Sequence, residues 1–286
     1  MFKYVGIVGA GTMGTGIAQA VALSKIDVAL YDVNDTLLRQ GVERIRADLR
    51  KGIQKGKLTQ EQFAEAMERI RLRSGLAELS SCDIIIEAVI EDLRVKKDLF
   101  KHLEQNCKPT TVLATNTSSL SVSSIAAGAS KQDRVIGLHF FNPAHIMKLV
   151  EVVRGQNTSE SVSSSVIEFV QHIGKTPVQV KDTPGFVVNR VARPFYGEAL
   201  RMLGENVATV EQIDRIAKEI GGFAMGPFEL MDMIGLDVNL SVTESMYDQY
   251  FGEPRYRPHQ IQKRMVESGQ LGKKTKRGFY VYDDKI

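Results

Sequence analysis

Lys3-Tyr4-Val5-Gly6-Ile7-Val8-Gly9-Ala10-Gly11-Thr12-Met13-Gly14 is a short apolar run that passes directly into three glycines spaced G-x-G-x-x-G. A helix pattern follows over Thr15 to Ser24. A second apolar run, Val28-Ala29-Leu30-Tyr31, then ends at Asp32. Three glycines alone say little. Placed between a strand and a helix, with an acidic residue roughly 20 positions on, they form the fingerprint of a dinucleotide site. Gly9 permits the tight turn, Gly11 lets backbone approach a pyrophosphate, and Gly14 lets the helix pack close on the strand. Thr12 and Met13 complete the turn, whose helix N-terminus offers N–H groups to phosphate. Asp32 is placed to accept from the adenosine ribose hydroxyls and to repel a 2′-phosphate, which points to NAD rather than NADP. The competing reading is a glycine-rich turn in some other α/β protein.

Working outward, strand and helix patterns alternate. Asn34 to about Gly56 reads as a long helix carrying Arg44, Arg46, Arg50, Lys51 and Lys55. Thr59-Gln60-Glu61-Gln62 has the form of a capping box opening a second helix that ends near Arg71. This pair exceeds what a crossover needs. Its basic face is either solvated surface or a landing site for a phosphate-bearing substrate handle. Cys82 to Val89 is nearly continuous and apolar, as in a strand buried on both faces. Glu91 follows at its carboxyl end, where doubly wound sheets place ligands. Leu93 to Asn106 reads as helix and Thr111 to Thr115 as strand. Asn116-Thr117-Ser118-Ser119 comes next; Ser118 either donates to a substrate oxygen or caps the helix Val122 to Ala127. After two further strands come a helix, Ser161 to Ile173, and a last strand, Pro177 to Val180. The pattern predicts a Rossmann-like, mostly parallel sheet with a helical-pair insertion.

Within the two strands passed over lie His139-Phe140-Phe141-Asn142-Pro143 and Lys148-Leu149-Val150-Glu151-Val152-Val153. A histidine ends one apolar run and a carboxylate sits inside the next. Sequential strands joined by a short loop usually lie side by side, which lets His139 meet Glu151. A carboxylate on a histidine fixes its tautomer and raises its basicity, as a general base near neutral pH needs. The bland alternative is a surface histidine and an edge-strand glutamate.

Composition narrows the class. At 286 residues, 43% hydrophobic and 25% charged, the chain is a typical globular sequence with room for two domains. A formal net charge of +3 gives no argument for nucleic acid. Cys82 and Cys107 form neither a metal-ligand spacing nor a disulfide framework, so no metal is expected. No apolar run reaches the length of a membrane span. The first strand starts too close to Met1 for a leader, and the expected location is cytoplasmic.

After Lys181 the pattern changes. Asp182-Thr183-Pro184-Gly185-Phe186-Val187-Val188-Asn189-Arg190 starts a helical region, with Thr183 as N-cap and Pro184 as first helical residue, running to about Leu203. Thr209 to Ile220, a helix beginning near Glu229, Leu236 to Tyr250 and His259 to Ser268 follow. Gly278 to Val281 is the one late strand candidate. This divides the chain into residues 1–182, a dinucleotide-binding domain, and 183–286, an all-α domain. Asn189 stands in the opening turns of the second.

The stretches GAGTMG at 9–14, EAVIED at 87–92, NTSSL at 116–120, GLHFFNP at 137–143, MKLVEVV at 147–153, DTPGFVVNR at 182–190, MGPFELMD at 225–232 and GFY at 278–280 run along the whole chain. In this order they closely resemble the short-chain L-3-hydroxyacyl-CoA dehydrogenases, a family that includes bacterial 3-hydroxybutyryl-CoA dehydrogenases. The resemblance implies NAD-dependent interconversion of (S)-3-hydroxyacyl-CoA and 3-ketoacyl-CoA, in fatty-acid β-oxidation or butanoate metabolism. It implies His139 as catalytic base with Glu151 as partner, and Ser118 and Asn189 as groups holding the substrate's oxygen and thioester. It sets Asp32, Glu91, Lys96, Asn116, Ser118 and Asn142 against the cofactor and Lys55 against the CoA phosphates. Asp48 stands where the family often has serine, and Lys276 where the tail motif commonly has glycine. Family members dimerise through the helical domain, so a homodimer is expected. Two alternatives stay open: a sugar-acid dehydrogenase such as L-gulonate 3-dehydrogenase on the same scaffold, which needs no CoA site, and a non-enzymatic protein that kept the fold.

Overall fold

The computed structural model describes residues 1–282. The chain divides into two compact units, Met1–Thr183 and Pro184–Ile286. In the first, strands β1 (Tyr4–Val8), β2 (Asp27–Tyr31), β3 (Ile70–Arg73), β4 (Ile84–Glu87), β5 (Val112–Thr115), β6 (Val135–Phe140), β7 (Leu149–Arg154) and β8 (Thr176–Lys181) form one sheet. Its order is β3-β2-β1-β4-β5-β6-β7-β8. All neighbours are parallel except β6 and β7. The connecting helices are α1 (Thr12–Leu23), α2 (Asp35–Gln54), α3 (Gln60–Arg69), α4 (Leu93–Asn106), α5 (Val122–Ala126) and α6 (Glu160–His172).

Successive strand residues point to opposite faces, and both faces are covered. Val5, Ile7, Ile84 and Ile86 pack with Ile17 of α1, Ile45 and Leu49 of α2 and Phe169 of α6. Val8, Ile85 and Leu113 pack with Phe100 and Leu103 of α4 and Ile125 of α5. This double burial explains why β1 and β4 are almost wholly apolar rather than alternating. Helix α2 buries Leu38, Gly41, Ile45 and Leu49, one stripe at helical spacing, and leaves its basic face outward. The capping box at Thr59 and Gln62 is present with both reciprocal bonds.

The second unit contains α7 (Val188–Gly204), α8 (Val210–Glu219), α9 (Pro227–Ile234), α10 (Leu236–Gln249) and α11 (Gln260–Glu267). Tyr196, Leu200, Ile213, Phe228 and Met231 form its core. Asp214 accepts from the backbone N–H groups of Phe228 and Glu229, both at 2.9 Å, and so caps α9 from a neighbouring helix.

Three local readings are corrected. Strand β3 was not anticipated: Ile70-Arg71-Leu72-Arg73 follows α3 without a breaker and reads as the end of that helix. It pairs with β2 at the sheet edge, where polar residues alternate freely. Thr183 and Pro184 do not open α7, which begins at Val188. Gly185 and Phe186 have φ of 72° and 49°, which no right-handed helix contains, so the segment is a turn. Gly278 to Val281 is not a strand. The N–H groups of Phe279 and Tyr280 go to the Asp232 carboxylate at 3.0 Å each, not to a ladder. At the departure from the tail motif, Lys276 holds φ of 57°, a left-handed backbone that favours glycine.

Candidate active site

The glycine-rich turn has the geometry its spacing predicts. Gly9 sits at φ 105°, and a Cβ there would lie 2.5 Å from the Ala88 carbonyl oxygen. A Cβ on Gly14 would fall 1.8 Å from the Gly9 carbonyl oxygen. Gly11 differs, because a Cβ there would meet nothing within 4 Å. The space beside Gly11 is open, and Gly11 is the N-cap of α1 with no side chain closing the helix end. Those are the requirements of a pyrophosphate cradle. Beside it lies a cavity of about 530 Å³ lined by Gly9, Gly11, Asp32, Val33, Leu37, Val89, Ile90, Val95, Leu99 and His102. Asp32 is anchored there by the N–H groups of Ala10 and Asn34, at 2.7 and 2.9 Å. An apolar slot with one oriented carboxylate fits an adenosine half.

At the carboxyl end of the sheet, β6 and β7 run antiparallel with His139 directly opposite Glu151. Nδ1 of His139 lies 2.7 Å from Oε2 of Glu151. Both side chains are buried, and the Phe141 ring packs on the imidazole at 4.4 Å between centroids. The contact engages Nδ1 with the carboxylate, an arrangement that fixes the orientation of the ring. Asn116, at the end of β5, accepts the Phe140 N–H at 2.8 Å and ties that loop to the histidine strand.

Ser118 is not the cap of α5; that role belongs to Ser121, which accepts from the Ser124 N–H. The Ser118 loop is instead held by Glu91. Oε1 of Glu91 receives the Thr117 hydroxyl and the backbone N–H of Ser118 at 3.1 Å and Ser119 at 3.3 Å. Burial pushes the Glu91 carboxyl up, but Lys96, Thr117 and the Ser118 N–H outweigh it and hold the group below the usual carboxylate range. Lys96 itself is fully enclosed, with Nζ 2.6 Å from Glu87 and 3.2 Å from Glu91. The resemblance sets Lys96 against the cofactor; in this structure the ammonium faces two carboxylates.

A second cavity, of about 590 Å³, opens between one side of α1, the basic side of α2 and the loop after β6. Arg44, Asp48, Lys51 and Lys55 line one side, and Asn142 and His145 the other. Asp48 lies 3.3 Å from Lys51. Burial lowers the His145 pKa, which leaves the ring neutral near neutral pH. Asn189 belongs to the second unit, half-buried in the first turn of α7.

Residues 4–183 match the model of the 3-hydroxyacyl-CoA dehydrogenase NAD binding domain, and residues 185–282 match the C-terminal domain of the same enzymes. The chain belongs to the 3-hydroxyacyl-CoA dehydrogenase family. A 3-hydroxyadipyl-CoA dehydrogenase of Escherichia coli is 46% identical over 98% of this chain, which spans 58% of that relative's length. A probable 3-hydroxybutyryl-CoA dehydrogenase of Bacillus subtilis is 43% identical, with 99% of this chain and 98% of the relative covered. The crystal structure of (S)-3-hydroxybutyryl-CoA dehydrogenase from Ralstonia eutropha superposes with a TM-score of 0.95 at 42% identity, covering 99% of this chain and 100% of that one. Membership of this family of NAD-dependent oxidoreductases, with its NAD binding domain over residues 4–183, makes NAD the cofactor.

In this family member, sequence reasoning passed over two carboxylates. Glu87 lies within an apolar run and was read as part of a buried strand. Its charge was the available signal, since a carboxylate on a strand buried on both faces requires a partner. Asp182 was read only as part of a motif. Its side chain accepts from the Ser121 hydroxyl at 2.8 Å, the Val122 N–H at 3.0 Å and the Ser123 N–H at 2.7 Å, holding the start of α5 three residues after Ser118.

Proposed function

We propose that this protein interconverts (S)-3-hydroxyacyl-CoA and 3-ketoacyl-CoA, with 3-hydroxybutyryl-CoA and acetoacetyl-CoA as the pair to try first. The observation that carries the reading is the buried His139–Glu151 contact at 2.7 Å, set at the carboxyl end of an NAD-binding sheet. NAD supplies hydride acceptance and donation at C3. In oxidation Nε2 of His139 takes the proton of the 3-hydroxyl, and Glu151 stabilises the imidazolium that forms. In reduction the same imidazolium returns the proton to the developing alkoxide. Ser118 and Asn189 are assigned as polar donors to the substrate oxygen and thioester. Asp32, Glu91, Lys96, Asn116, Ser118, Asn142 and the glycine turn with Thr12 and Met13 are assigned to the cofactor.

Lys55, with Arg44 and Lys51 in the second cavity, is assigned to the CoA phosphates. That cationic wall speaks against the sugar-acid alternative, which has no phosphate handle, and the relatives described above are named for acyl-CoA substrates. The acyl group stays open, since one relative is named for a hydroxyadipyl and another for a hydroxybutyryl thioester. We further propose a homodimer formed through the second unit, working in the cytoplasm. Among the described residues no helix is long and apolar enough to cross a membrane.

Initial rates with acetoacetyl-CoA and longer 3-ketoacyl-CoAs, each with NADH and NADPH, test the assignment, with L-gulonate and NAD as the contrasting pair. Turnover of a 3-ketoacyl-CoA with NADH is expected. Turnover of the sugar acid alone would overturn the reading.

A further inference from the structure

Glu87, Lys96 and Glu91 form a chain of charges running from the sheet interior to its carboxyl edge. Glu87 ends β4 and is completely buried, as is Lys96 on the first turn of α4. Oε1 of Glu87 receives the Val89 N–H at 2.8 Å and Lys96 Nζ at 2.6 Å, and Oε2 receives the Thr115 hydroxyl at 2.7 Å. Every one of these contacts comes from a donor, the pattern of a carboxylate. Nζ of Lys96 then reaches Glu91 at 3.2 Å, and Glu91 holds the Ser118 loop. Two carboxylates therefore share one ammonium, and one negative charge stays uncompensated within the network. A buried excess charge is expensive, and Glu87→Gln would remove it with almost no change in shape. A structural clamp for Lys96 requires one carboxylate, and Glu91 already supplies it.

The position of the network indicates what the extra charge acts on. The Asp32 cavity lies on the β2 side of the glycine turn and fits the adenosine half. A dinucleotide laid across the switch point then extends its other half toward the carboxyl ends of β4, β5 and β6, where Glu91, Ser118 and His139 stand. That half carries a positive ring when oxidised and a neutral one when reduced. We propose that Glu87 is a positioning residue that sets the charge of this network, and that the net negative charge of the network raises the affinity for NAD⁺ relative to NADH. The inference rests on the NAD site being where the fold indicates.

The test is the ratio of two dissociation constants, NADH by its fluorescence and NAD⁺ by displacing it, at low salt. Glu87→Gln is expected to weaken NAD⁺ relative to NADH by roughly three- to tenfold, the size of one charge acting across a partly screened protein interior. Glu87→Gln combined with Lys96→Met removes one charge of each sign, and the ratio is expected to return near the wild-type value. A purely structural role for Glu87 would weaken both cofactors alike, and an unchanged ratio in Glu87→Gln overturns the proposal. So does a double variant whose ratio follows the single one. If Glu87→Gln fails to fold by circular dichroism, Glu91→Gln removes the same charge from the exposed end, and equal weakening of both cofactors there overturns it. A wild-type protein that binds neither cofactor would defeat the NAD site itself, a result distinct from an unmoved ratio.

Discussion

Replacing Glu151 by Gln keeps the shape of the side chain and removes the charge facing Nδ1 of His139. If the pair acts as base and orienter, kcat should fall by about 10²–10⁴, with a smaller effect on KM, because the charge matters most as the proton moves. NADH binding should be unchanged. A variant with near-wild-type kcat would leave Glu151 as a strand residue only. Asp32→Asn tests the cofactor preference in the same way. Asp32 takes one N–H at each carboxylate oxygen, so the amide keeps one of the two bonds, loses the other for both cofactors alike, and removes the repulsion toward a 2′-phosphate. The gap in kcat/KM between NADH and NADPH should narrow, and an unchanged gap would assign the preference to other groups. The His139–Glu151 contact was legible in the sequence because two short strands and a brief loop leave few registers. The Glu87–Lys96 contact was not, because its partners come from a strand and a helix whose packing distance no spacing rule supplies.

Among the elements, α2 has the most to prove. Its buried stripe follows from periodicity, but the same periodicity leaves the outward cations without an assigned role. The structure brings Arg44, Lys51 and Lys55 to one side of the cavity whose other side carries Asn142 and His145. Lys55→Ala is expected to raise KM for acetoacetyl-CoA several-fold with little change in kcat, as loss of uniform binding does. A pantetheine-truncated substrate, lacking the phosphates, should be unaffected, and an equal loss for both would remove Lys55 from the phosphate site. The elements that periodicity predicted are those with a buried stripe or a continuous apolar run, such as α2, α4 and β4. Those it misjudged are set by backbone or by distant acceptors. Edge strand β3 is only four residues long, and its Ile-Arg-Leu-Arg alternation continues α3 without a break. The start of α7 is displaced by two left-handed residues, and the tail segment gives its N–H groups to a side chain instead of to a strand.

For the whole molecule, the exposed apolar residues of the second unit bear on assembly. Ile220 is 83% exposed, Val191 69% and Phe223 53%, apolar side chains available for a second copy to cover. Light scattering is expected to give the mass of a dimer, and Ile220→Glu to shift it toward the monomer; a wild-type monomer would defeat the homodimer assignment. The second unit is also fastened by its own tail. Asp232 is buried and accepts from Phe279, Tyr280 and the Tyr282 hydroxyl. Tyr280 also donates to Asp214 at 2.9 Å, and a Cβ on Gly278 would lie 2.1 Å from the Asp232 carboxylate. Asp232→Ala should lower the melting temperature by several degrees and expose the tail to protease, because it removes the acceptor for three donors. A melt that does not move would make the fastening incidental. The same clasp dictates an order of events during translation. The first unit has its last strand once residue 181 has been made, whereas Asp232 must wait close to fifty further residues for its donors. Until the tail leaves the ribosome, the Asp232 carboxylate on α9 has only water to accept from in place of those donors. The last bonds of the second unit therefore form only after the tail has been made, and a chain stopped just upstream of Gly278 is expected to fold its nucleotide-binding half while Asp232 lacks its three tail donors.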